Sequence, residues 1–174
     1  MRERLSPPLA VLLAAAVLFG LAGCGGGSDA GPDPQPCTEE AVTLTQTTTA
    51  SYACGDPYRA VVRIHNGACK TLKVTKLEIV SQVTACNVAT CVASCATPAG
   101  STTGLCPYPL AVTVPSKATG TVIDLTGDGY HYPSGGLQMT ERYTYQVSYT
   151  LDGQALSLSS DPVDVTVSLP QPCP

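Results

Sequence analysis

The chain has no tryptophan, and its single phenylalanine, Phe19, falls near the N-terminus. Any core must therefore be built from Val, Leu, Ile and the eight tyrosines. Only 13% of residues are charged and acids outnumber bases, 13 to 9. Such a balance gives no electrostatic footprint for nucleic acid, whose binders show basic patches. The longest apolar run, Leu9 to Ala22, is 14 residues, short of the about 20 that a membrane-spanning helix needs. No Cys-x-x-Cys pair occurs, and His65 and His131 stand far apart, so neither a metal nor a cofactor is expected. Asp124 and Asp128 offer too few oxygen ligands for a calcium loop. No Gly-x-Ser-x-Gly accompanies either histidine, so no catalytic residue is assigned.

The apolar run follows Arg2 and Arg4, the arrangement of a secretory leader. It ends at Leu21-Ala22-Gly23-Cys24, which resembles the lipobox of bacterial lipoproteins. That resemblance implies cleavage before Cys24, acylation of its sulfur and amine, and a membrane partner held through the lipid. Two or more acyl chains anchor stably where one does not. Gly25 stands where some bacterial lipoproteins carry a retaining aspartate, which favours an outer membrane in an organism that has one. Residues 1–23 are thus read as leader, 24–36 as an acylated tether and 37–174 as one domain. Without the leader the side chains sum to a formal −5, from seven bases and twelve acids. The tether has almost nothing to bury, and Pro32, Pro34 and Pro36 stiffen its second half. A flexible 12-residue segment of this kind has an r.m.s. span of about 20 Å.

Past Cys37 the apolar period is two, and the segments are rich in Val, Thr and Tyr, as half-buried strands require. Strands are expected at 41–48, 58–66, 72–80, 110–114, 120–125, 142–151 and 154–169. The last is expected to bend or split at Asp161-Pro162, since proline cannot donate to a ladder. Strict alternation over 72–80 places Leu72, Val74, Lys76, Glu78 and Val80 on one face, and Lys73, Thr75, Leu77 and Ile79 on the other. Tyr143, Tyr145, Val147, Tyr149 and Leu151 share a face in the same way. Asn66-Gly67 and Asp152-Gly153 are turn signals, the second a two-residue hairpin. The fold class is all-β, a disulfide-stapled antiparallel sandwich of about seven strands. The pattern resembles an immunoglobulin-like or fibronectin-type-III-like domain, without the immunoglobulin tryptophan.

Setting Cys24 aside for lipid leaves Cys37, Cys54, Cys69, Cys86, Cys91, Cys95, Cys106 and Cys173, an even set that reads as four disulfides in an exported chain. If each strand crosses the sandwich once, short connections gather at the tether end. The segment 49–57, the Cys-rich connection 81–109, the connection 126–141 and the tail gather at the far end. Strand 58–66 would hold Cys54 and Cys69 about 30 Å apart, against the about 7 Å a bridge allows. Cys37 and Cys69 are then alone at the tether end and should pair, and the other six should pair among themselves.

Tyr130-His131-Tyr132, between glycine turns, form a candidate binding loop, because tyrosine provides contact area at little entropic cost. The expected function is a non-enzymatic envelope module that presents its far loops to a protein or polysaccharide. A spacer lipoprotein without ligand is the main alternative, and an enzyme the second. Fatty-acid-analogue labelling of cells should mark the wild-type protein and leave Cys24→Ala unlabelled; equal labelling of both would remove the lipoprotein reading.

Overall fold

The computed structural model describes residues 36–53, 55–96, 98–127 and 136–169. All its regular elements are strands: β1 (Thr43–Thr48), β2 (Ser51–Tyr52), β3 (Tyr58–His65), β4 (Leu72–Cys86), β5 (Thr103–Val114), β6 (Thr119–Gly127), β7 (Leu137–Leu151), β8 (Gln154–Ser159) and β9 (Val163–Leu169). They form two sheets, β1-β3-β6 and β2-β9-β7-β4-β5, with β8 also paired to β7. Every pairing is antiparallel except the short β2–β9 contact. β8 and β9 pair with successive stretches of β7, so they are one strand interrupted at Asp161-Pro162. Seven long strands and the short β2 thus make a β-sandwich. β5 joins the β4–β7 sheet, whereas constant-type immunoglobulin domains place their fourth strand in the opposite one.

The core lies between the sheets and is made without Trp or Phe. Ala60, Val62 and Ile64 of β3 meet Leu72, Val74, Leu77, Tyr145 and Val147 of the larger sheet. Tyr145 is fully buried, and its hydroxyl lies 3.0 Å from Thr48 Oγ1, so the polar end of this large side chain is partnered. Asn66 is also fully buried; its Nδ2 donates to the carbonyls of Lys70, Val114 and Pro115, and its Oδ1 accepts from Ala68 N. It therefore ties two short connections together at the end that holds Cys37. A side chain on Gly67 would collide with the Ala41 carbonyl, so glycine serves close approach there.

Four expectations need correction. Strict alternation fails in β4, because register shifts between Val74 and Lys76, so Leu72 and Val74 share the buried face with Leu77, Ile79 and Ser81. A bulge adds one residue to one strand and reverses the phase beyond it. The segment 81–109 is not wholly irregular, since β4 runs on to Cys86 and β5 begins at Thr103. Asn66-Gly67 joins strands of different sheets and makes no hairpin. Asp152-Gly153 does make one, with φ of 51° and 77°, as a type I′ turn requires. Finally, the strand expected at 142–151 begins five residues earlier, at Leu137.

Pro107 and Pro109 sit on edge strand β5, where proline denies a pairing partner the donors it would need. The bulge makes a direct prediction about urea unfolding. Leu77→Ala should cost about 2–5 kcal/mol and Val80→Ala under about 1 kcal/mol. The reverse order would mean an unbroken strand.

Candidate functional site

Strand registers fix the two ends of the sandwich. Cys86 pairs with Met139 and Leu169 with Leu137, so β4 and β9 finish where β7 begins. The connections 66–71, 115–118 and 152–153 lie at the opposite end, beside Cys37. Cys37 is bonded to Cys69 there, with Cα atoms 5.7 Å apart, the pair expected from their position. Lys117 reinforces the same end, its Nζ donating to the Thr38 and Gly67 carbonyls.

The two sheets differ in length, and the difference creates the far end. β4 and β7 have 15 residues each, β3 and β6 only 8 and 9. Tyr58 opens β3 and packs on Tyr143, with ring centroids 6.5 Å apart. Beyond that contact Glu141, Met139 and Leu137 still face inward, with no strand of the three-stranded sheet opposite. The Cys-rich connection fills the gap: Cys91, Ala93 and Cys95 are buried at 8, 4 and 7% exposure, and the two cysteines join the core cluster. Cys86–Cys91 and Cys95–Cys106 fasten it at both ends, with Cα separations of 6.2 and 5.2 Å. A Cβ on Gly104 would collide with the Cys95 carbonyl, so glycine lets the connection press onto β5.

A polar contact seats this cap. Glu141 is 1% exposed and forms no ion pair among the described residues. Its Oε1 accepts from Ser94 N at 2.6 Å, and its Oε2 from Ser94 Oγ and Tyr143 OH, each at 2.7 Å. Next to it, Ser81 Oγ accepts from Cys95 N at 3.0 Å. Burial, and next the negative charge of Glu141, push the Tyr143 hydroxyl above its usual range, so it stays protonated and remains a donor. The carboxylate is thus satisfied by donors rather than by a cation.

On the outer face beside the Cys86–Cys91 bridge lies an open groove of about 450 Å³, lined by Ala85, Cys86, Asn87, Gln138, Met139, Thr140, Thr166 and Ser168. Asn87 is clamped, its Nδ2 donating to Gly136 O at 2.6 Å and its Oδ1 accepting from Gln138 N at 2.7 Å. The lining carries no formal charge and mixes amides and hydroxyls with the apolar surface of Ala85, Cys86 and Met139. Nearby, Arg142 donates to both oxygens of Asp164, at 2.7 and 2.9 Å, and this bonding holds the Asp164 carboxyl below its usual range.

Of the residues singled out in the sequence, Cys24, Cys54, Cys173 and Tyr130-His131-Tyr132 lie outside the described residues. His65 lies on β3, its Nδ1 3.1 Å from Thr119 Oγ1, far in the fold from Glu141. Glu141, Ser94, Ser81 and Asn87 were missed. Glu141 did leave a signal, a charged residue in the buried phase of Leu137-x-Met139-x-Glu141-x-Tyr143.

No family model and no curated protein sequence matches the chain. Among solved structures it is similar to Spo0M, a sporulation control protein from Bacillus subtilis, at 11% identity and a TM-score of 0.41, over 74% of this chain. The match spans half of that protein's length, and no activity is carried over from it.

Removing the seat of the cap tests its weight. Glu141→Ala removes the acceptor shared by Ser94 N, Ser94 Oγ and the buried Tyr143 hydroxyl, leaving that hydroxyl only Ser94 Oγ at 2.9 Å, and should cost about 2–3 kcal/mol in denaturant unfolding, with Glu141→Gln costing less because an acceptor remains. A loss under about 0.5 kcal/mol in Glu141→Ala would show that the cap is held by its disulfides alone.

Proposed function

We propose that this protein is an exported lipoprotein, anchored through acylated Cys24, whose sandwich is a non-enzymatic recognition module facing away from the membrane. One observation carries the reading: the Cys-rich connection is already folded, bonded at both ends and seated on Glu141, at the end opposite Cys37, where the tether enters. A surface ordered in advance loses little freedom when it binds. Val92, 40% exposed between the buried Cys91 and Ala93, projects from this cap toward solvent. The three disulfides among the described residues agree with an oxidising compartment. The buried acid supports a structural role over an enzymatic one, since Glu141 spends its oxygens on three internal donors.

A protein or polysaccharide of the cell envelope is the partner this reading requires. Full-length acylated protein, cross-linked in envelope preparations, should recover a discrete partner. Val92→Asp and Asn87→Ala, both at the capped end, should lower recovery at least fivefold, and Lys70→Ala at the tether end should not. Loss through Lys70→Ala alone, or no partner with any form, contradicts the reading and leaves a spacer.

A further inference from the structure

The outer face of the three-stranded sheet is unlike the rest of this acidic chain. β1 turns Thr43, Thr45 and Thr47 to solvent. β3 carries exposed Arg59 and Arg63, half-buried His65 and buried Val61 on this face, and β6 turns out Thr119, Thr121 and Asp124. The registers align them in rows: Thr43, His65 and Thr119; Thr45, Arg63 and Thr121; Thr47, Val61 and Asp124. A basic strand is thus bordered on both sides by hydroxyls, about 4.8 Å across and repeating about every 6.6 Å along the strands.

The cations are not equivalent. Of the seven basic side chains beyond the leader, Arg59, Lys70, Lys76, Lys117 and Arg142 form ion pairs. Arg63 and Lys73 form none among the described residues. Arg59 shows what this face does with a carboxylate: its Nε and a terminal nitrogen hold Asp124 at 3.0 and 2.7 Å, a two-pronged grip. Arg63 presents the same fork four residues along the strand, with threonines on both sides in its row and Asp124, already gripped by Arg59, diagonally across and within reach of its charge. A depression of about 330 Å³ runs between them, lined by Thr47, Thr48, Thr49, Arg59, Val61 and Arg63.

From this arrangement we infer that the Thr–Arg face binds an acidic polysaccharide, with Arg63 gripping a uronate carboxylate and the flanking threonines bonding sugar hydroxyls. Charge complementarity selects an anionic ligand. The absence of any aromatic or exposed large apolar side chain among these rows disfavours a protein, because interface cores are built from such residues. The face is separate from the capped end, so its failure would leave the cap's role standing.

Full-length protein should be measured by biolayer interferometry against immobilised polygalacturonate, neutral dextran and polyglutamate. Binding to polygalacturonate alone is expected, weakened at least tenfold by Arg63→Ala, less by Arg63→Lys, and about threefold by Thr45→Val. Lys73→Ala, which removes the other unpaired cation from the opposite sheet, should change binding less than twofold. No binding to polygalacturonate, equal binding to polyglutamate, or equal loss in Lys73→Ala and Arg63→Ala would overturn the inference.

Discussion

A carboxylate buried without a cation holds this domain's far end together. Removing a charge from water costs several kcal/mol unless its lone pairs are met, and Glu141 meets them with three donors, two of them from Ser94 alone. Those donors belong to the Cys-rich connection and to β7 itself, so the ion is stable only while the connection sits in place. The overhanging end of β7 draws on the same segment, because Cys91 and Cys95 share the core cluster with Leu137 and Met139 while Ser94 meets Glu141. A segment without a regular element of its own thereby does the covering work of a sheet.

The opposite end is built on a different principle. There Asn66, Gly67, Lys117 and the Cys37–Cys69 bridge bring two of the short connections and the segment at Cys37 together. The constraint is compact and entropic: a bridge closing a loop of 32 residues stabilises by about 3–4 kcal/mol through the unfolded chain. One end is therefore a cross-linked cluster of short connections, while the other offers a shaped surface. The division of labour follows from strand lengths, since only long β4 and β7 could leave an inner face bare.

Much of the architecture was legible because β-structure writes itself as period two. The tyrosines of β7 were placed together on one face, which is the buried one, and the proline interruption between β8 and β9 was visible at Asp161-Pro162. The bulge at Thr75 was not legible, because Lys76 and Glu78 are as acceptable on a half-buried face as Leu77 is in a core. Sheet partition escaped as well: Asn66-Gly67 has hairpin chemistry, and only the tertiary contacts of Asn66 show that the chain crosses between sheets there. Local sequence signals a turn, whereas the partner strand is chosen by packing over the whole domain. The candidate site fared worse for the same reason, since Ser94 and Glu141 are 47 residues apart and meet only in the fold.

The claim that the Cys-rich connection is a seated part of the core is tested most directly by amide hydrogen exchange of the wild-type protein and Glu141→Gln. In the wild type, the amides of Ala93, Ser94, Cys95 and Ala96 should be protected to the same degree as those of residues 137–143. In the variant, both groups should lose protection together while 60–64 and 145–149 keep theirs. Free exchange of the connection beside a protected overhang in the wild type would contradict the account, because the cap would then be a loop tethered by disulfides and seated on nothing.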